Sequence, residues 1–462
     1  MIRVGRMEGR FTGAAAAIAA TVLLAAGPRA TAAPPAIILT SGAPGESFAC
    51  SVASAGDMNG DGYADMIVGA YQSGAAGSAP GRAYVYFGGP RAGNRPDLVL
   101  SGEIGGDAFG VCVASAGDVN KDGFSDVIVG AYQNDAQGAN AGRVYVFFGG
   151  RRPDARPDLV LDGEAAGDAF GYAVAPAGDV NKDGYADFLV GAYENSARGA
   201  GAGRAYLYLG GPHPDAVPDA IYSGEAAGDR FGISVAGAGD VNGDGFADVI
   251  VGAYEQDGAG NDAGRAYVYF GGPRPHDRPD LTLDGAAPGD LFGYSVSSAG
   301  DVNKDGFADV IVGAYHNNAG GKDAGRAYVY FGGKAPSDRP GVVLTGEAPG
   351  DAFGYAVGTM GDANGDGYAD IVVGAYGNDA GGSAAGRAYV FFGSPVPDAV
   401  ADHMETGSAT LDNLGFAVGG AGDIDGDGYA DLIVGAPYAD NGNGRAYVST
   451  SVGARSRPVA QR

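Results

Sequence analysis

Oxygen-bearing side chains recur in this chain at a spacing that suits a hard cation. In the stretch DVNKDGFSD, residues Asp118, Asn120, Asp122 and Asp126 hold positions one, three, five and nine, and Phe124 at position seven offers a backbone carbonyl. Gly123 at position six permits the sharp turn that folds both halves about one point. Carboxylates this close repel one another unless positive charge sits among them. Calcium takes about six to eight oxygens at flexible geometry and fits such a set better than magnesium. The stretch contains no thiol or imidazole, which argues against zinc or copper.

The loop occurs seven times, each copy 61 residues from the last. Position one is Asp57, Asp118, Asp179, Asp240, Asp301, Asp362 and Asp423; position three is Asn59, Asn120, Asn181, Asn242, Asn303, Asn364 and, in the last copy, Asp425. Position five is Asp61, Asp122, Asp183, Asp244, Asp305, Asp366 and Asp427, and position nine is Asp65, Asp126, Asp187, Asp248, Asp309, Asp370 and Asp431. Carbonyls at position seven belong to Tyr63, Phe124, Tyr185, Phe246, Phe307, Tyr368 and Tyr429. Turn-forming Asn, Asp and Gly account for one such loop, but poorly for seven with the same four oxygen positions. Up to seven Ca²⁺ are therefore expected, with the fourth carboxylate of the last copy favouring the tightest binding there. Lys121, Lys182 and Lys304 at position four are not ligands, and their side chains are expected to point to solvent. A helix-flanked calcium loop is excluded because its twelfth position needs Glu, where this chain has Val129 in a strand.

Loops of this kind need rigid elements to hold them. Each unit runs through four apolar pieces rich in Val, Ile, Tyr and Phe, separated by Gly, Pro, Asn and Asp, which reads as strands joined by turns. No segment keeps a helical period. Four short strands per unit and seven units predict an all-β, seven-bladed β-propeller with four-stranded antiparallel blades over residues 37–451. The last unit lacks its fourth strand, and IILTSG (Ile37–Gly42) is a spare one, so the N-terminal strand is expected to complete blade seven and close the ring. The acidic loops then share a rim with the Pro-rich turns, and the Gly-rich loops between strands two and three lie on the other.

The chain carries 55 acidic and 29 basic residues, a formal net charge of -26, which makes nucleic acid an unsuitable partner and cations suitable ones. Residues 1–33 place Arg3, Arg6 and Arg10 before the apolar run Ala14–Ala26 and end in small residues, the pattern of a secretory signal peptide. No later stretch is long enough to span a bilayer. A secreted, extracellular protein is expected, associated with the cell surface or held in a periplasm, and a monomer. Residues 452–462 read as a C-terminal tail.

The composite of Phe109-Gly110, the acidic loop and Gly130-Ala131-Tyr132 resembles the FG-GAP repeat of the integrin α-subunit propeller. The resemblance covers about residues 37–451, with Phe48-Ala49 and Leu414-Gly415 as small departures in units one and seven. It implies an extracellular adhesion or ligand-binding module that takes a protein or glycan, without naming which. Integrin-like propellers usually load calcium in some blades, whereas all seven loops here are competent in sequence. A freestanding secreted protein of prokaryotic type is implied rather than an integrin.

Two alternatives stand beside a binder: an extracellular hydrolase acting in the channel, and a purely structural surface module. His213, His276, His316 and His403 fall at non-equivalent positions, and neither HExxH nor GxSxG occurs, so no enzyme is expected. Loops between strands two and three vary most between units, and variation on a rigid scaffold suits recognition. The Arg that opens each third strand is expected to donate hydrogen bonds between blades. Cys50 and Cys112 start the innermost strands of neighbouring blades, and export leaves a disulfide or two buried free thiols both open.

Overall fold

A computed structural model describes residues 37–72, 79–450, 452 and 453. The expected signal peptide (residues 1–33), part of the first Gly-rich loop and most of the expected C-terminal tail lie outside the described residues. The described strands form seven four-stranded antiparallel sheets, each ordered as its strands occur in sequence except at the seam. Blade one is built from Ser51–Gly56, Asp65–Ala70, Arg82–Tyr86 and Leu98–Ser101. Blade seven takes Ala417–Gly422, Asp431–Ala436 and Arg445–Ser449 from the C-terminal end and Ile37–Leu39 from the N-terminal end. Ile37 pairs with Val448, Ile38 with Tyr447 and Leu39 with Ala446, so no third strand is left as an open edge.

The second strand of every blade is buried at all six positions, which explains why DVIVGA shows no polar alternation. It lies between two strands of its own sheet and under both neighbouring blades. Both motif glycines answer to that packing. A Cβ on Gly130 in strand two would run into the carbonyl of Gly171, which opens the following blade. The same contact joins Gly69 to Gly110 and, across the seam, Gly435 to Ala49. Phe109 packs edge-on against Tyr145 with ring centroids 5.3 Å apart, and the equivalent pair Phe48–Tyr84 stands at 5.5 Å.

The Gly-rich loop of blade seven tightens into a turn over Ala439–Gly442, with Asp440 (φ 56°) and Asn441 (φ 61°) in the left-handed region. Arginines opening the third strand tie mainly to the incoming blade connection: Arg143 reaches Glu103 at 3.0 Å and Arg204 reaches Glu164 at 2.7 Å. Of the two arrangements left open for Cys50 and Cys112, this structure has both thiols free. Each points onward around the ring, Cys50 Sγ donating to Gly110 O at 3.5 Å and Cys112 Sγ to Val174 O at 3.7 Å. Cys112 thus faces blade three rather than Cys50.

Candidate metal centre

Each acidic loop leaves strand one through an irregular pair in which a glycine at positive φ opposes the position-nine Asp. Gly117 (φ 75°) opposite Asp126 is the case in blade two. The apolar residue at position two, Val119 in that blade and Met58 in blade one, is fully buried and pins the loop to the core. Position nine begins strand two, and all seven of its aspartates are fully buried.

Backbone N–H groups organise the carboxylates. Asp118 accepts from Asp122 N at 3.0 Å and Gly123 N at 2.8 Å, Asn120 Oδ1 accepts from Asp122 N at 2.9 Å, and Asp122 accepts from Phe124 N at 3.1 Å. The other six loops repeat these bonds, as in Asp57 with Asp61 N at 3.0 Å and Asp423 with Asp427 N at 3.1 Å. Beneath them Asp126 Oδ2 accepts from Val119 N at 2.9 Å, and its Oδ1 from Gly149 N in the Pro-rich turn at 2.8 Å. That second bond places acidic loops and Pro-rich turns on one rim.

Burial pushes the position-nine carboxyls up, to about 7 for Asp65, Asp126, Asp187, Asp248, Asp309 and Asp431 and to about 6 for Asp370. The backbone N–H bonds oppose this, and repulsion from the carboxylates at positions one and five adds to it. A cation at the centre of the loop would reverse that balance. The donor set fits one: all-oxygen and mostly anionic, with the position-one Oδ1 accepting two N–H bonds in blades one, four, six and seven, as Asp57 does from Gly60 N and Asp61 N, and the position-one Oδ2 accepting one. In blade seven, one carboxylate oxygen each from Asp423, Asp425 and Asp431 lies within 4.8 Å of the others. Among the described residues no other blade draws three carboxylates together so closely.

Neighbouring loops are locked to one another. The position-one carbonyl of every loop accepts from the position-eight N–H of the next, as in Ser125 N to Asp57 O at 3.0 Å and, over the seam, Ala64 N to Asp423 O at 3.0 Å. The position-four lysines do not simply point to solvent. Lys121 Nζ lies 5.1 Å from the ring centroid of Tyr185, Lys182 5.4 Å from Phe246 and Lys304 5.1 Å from Tyr368, each ring belonging to the next loop. Where position four is Gly60, Gly243, Gly365 or Gly426, the next loop's aromatic ring occupies the space a Cβ would need. The alternation of Lys and Gly at this position therefore reflects two ways of seating one ring.

The propeller axis holds a cavity of about 810 Å³ lined by the first strands of all seven blades. At the Gly-rich rim its mouth is crowded with aromatic rings. Tyr294 and Tyr355 meet hydroxyl to hydroxyl at 3.2 Å, Tyr172 packs on Tyr193 at 4.7 Å between centroids, and Phe416 on Tyr355 at 5.0 Å. Reading the repeat as scaffold alone missed this cluster. Its signal was present in the tyrosines that follow Phe-Gly in units three, five and six.

The model described as "FG-GAP repeat" matches residues 51–86, 113–147, 170–208, 231–269, 292–330, 353–391 and 415–449. The chain belongs to the FG-GAP repeat family. Its seven FG-GAP units form an integrin-like β-propeller module. Integrin alpha-IIb of Mus musculus is 39% identical over 167 residues, which cover 34% of this chain and 16% of the relative. Integrin alpha-5 of Xenopus laevis is 33% identical over 223 residues, covering 46% and 20%. The match thus spans a fifth or less of these curated relatives. Among solved structures, a chain from a crystal structure of BBS1N in complex with ARL6DN, soaked with lead, aligns with a TM-score of 0.51. That alignment covers 93% of this chain and 99% of the other at 10% identity, a likeness of fold alone. No helix among the described residues is long and apolar enough to cross a membrane.

Proposed function

We propose that this FG-GAP propeller is a secreted calcium-binding module for extracellular adhesion or ligand recognition, acting as a binder rather than a catalyst and as a monomer. The observation that carries the metal reading is the buried position-nine aspartate under every loop, raised in pKa by burial and by its acidic neighbours. Such a group is stabilised by a cation set among it and the oxygens of positions one, three, five and seven. Calcium neutralises the loops and stiffens the hairpins that carry strands one and two.

Recognition belongs to the opposite rim. There the variable Gly-rich loops surround an aromatic mouth that offers flat rings and hydroxyl groups, chemistry suited to a protein or glycan surface. The lining of the axial cavity is mostly Val, Ala, Gly and Ser and supports no acid–base pair. The test is capture of extracellular proteins and a glycan array, each run with calcium and with chelator. Calcium-dependent retention that is lost on truncating Tyr294 and Tyr355 to Ala supports the reading. Retention unchanged by both treatments contradicts it, as does turnover in a hydrolase screen.

A further inference from the structure

Blade seven differs from the other six at the foot of its acidic loop. In blades one to six the position-nine Asp is held at both oxygens, the second by a glycine N–H of the Pro-rich turn: Gly88 to Asp65 at 2.9 Å, Gly210 to Asp187 at 2.8 Å and Gly393 to Asp370 at 2.9 Å. Asp431 keeps the first bond, from Ile424 N at 2.9 Å, but its Oδ1 is buried without a hydrogen-bond partner. The sequence also differs at the turn position. Glycine is needed at the turn position because a Cβ there would run into the carbonyl of loop position eight, as Gly88 would into Ala64 O. The matching residue of blade seven is Ser451, after a third strand whose outer partner comes from the other end of the chain.

A buried carboxylate oxygen without a donor is destabilising until something positive meets it. Here it lies beside the loop that alone has Asp at position three, and Asp423, Asp425 and Asp431 converge within 4.8 Å. We propose that the blade-seven loop is the primary cation site of the ring, filled first and most tightly, its ion meeting the Asp431 oxygen that no glycine N–H holds. The inference rests on the calcium reading above and adds an order of loading to it. The ion sits at the seam, in the sheet built from both chain ends. Asp423 O accepts there from Ala64 N of blade one, so the first ion bound fastens the closure.

The test is calorimetric titration of the metal-free full chain with CaCl₂. One ion is expected to bind at least ~10-fold tighter than the remaining class, since an added carboxylate and an unpaired oxygen both favour the site. Asp425→Asn gives blade seven the Asn of the other loops and is expected to fold, weakening the tight phase by ~3-fold or more. Asp431→Asn is expected to abolish that phase, while Asp122→Asn in blade two leaves it intact and removes one weaker ion. Should Asp431→Asn fail to fold, the Asp425→Asn and Asp122→Asn pair still decides. Seven ions titrating as one class, or a tight phase unaltered in Asp425→Asn, would overturn the ordering while leaving calcium binding in place. No heat and no bound calcium at all would overturn the calcium reading itself.

Discussion

At the residue scale, one carboxylate per blade carries an electrostatic load that the rest of the sheet does not. In the metal-free chain Asp126 and its five equals titrate near 7 and Asp370 near 6, above the ordinary carboxylate range. A folded-state pKa raised in this way contributes stability that is full below the unfolded pKa and is lost as pH rises through the folded one. With excess chelator, the thermal midpoint is therefore expected to fall between pH 5 and pH 8. With saturating calcium the order reverses, because protons compete with the ion for the same oxygens. Midpoints measured at both pH values, with and without calcium, check this; a chelated protein more stable at pH 8 contradicts it. Gly130 makes a second prediction at this scale. Because its missing Cβ leaves room for Gly171 O, Gly130→Ala is expected to cost about 2–4 kcal/mol, measured by denaturant unfolding in calcium. A loss under about 0.5 kcal/mol would show that the blades do not meet at this point.

At the element scale, repeat period, strand number and the blade-closing role of Ile37–Leu39 were all legible before any coordinates. Each is a property of spacing, and spacing survives in sequence. The acidic loops were legible for the same reason, since alternate oxygens and one glycine define them. What escaped lay between repeats rather than within one. The Lys121–Tyr185 contact joins residues 64 apart in neighbouring loops, and nothing inside a single unit announces it. Direction around the ring also escaped: Cys50 and Cys112 belong to adjacent blades, yet both thiols point the same way round, so adjacency does not bring them together. The orphaned oxygen of Asp431 became visible only beside the six glycine N–H bonds of the other blades. The closing strand makes the prediction of this scale. Deleting residues 37–39 exposes the edge of Arg445–Ser449, and the protein is expected to oligomerise or lose its cooperative transition, as read by light scattering and calorimetry. A monomer with an unchanged transition would show that the seam is held elsewhere.

At the scale of the whole molecule, the ring is a set of blades whose acidic loops form a continuous belt along one rim. Seven backbone hydrogen bonds, one for each pair of neighbouring loops, link the loops in turn, and the one across the seam runs from Ala64 N to Asp423 O. Rings and lysine amino groups interlock above them. On the proposed calcium reading, an ion in one loop would stiffen a strand pair that its neighbour leans on, and loading would couple to folding by mass action. Formal charge points the same way. Without residues 1–33 the chain stands near -29, and seven Ca²⁺ leave about -15. The opposite rim, free of that duty, can vary its loops without loosening the scaffold.

The most direct measurement is thermal unfolding of the purified chain at neutral pH, in millimolar calcium and again after exhaustive chelation. Ligands that bind only the folded state each add about 2.7 kcal/mol at a hundred times their dissociation constant, so several such ions are expected to raise the midpoint by ~10 °C or more. Coincident midpoints in the two conditions, with the sheet signal intact and no metal bound, would contradict the account.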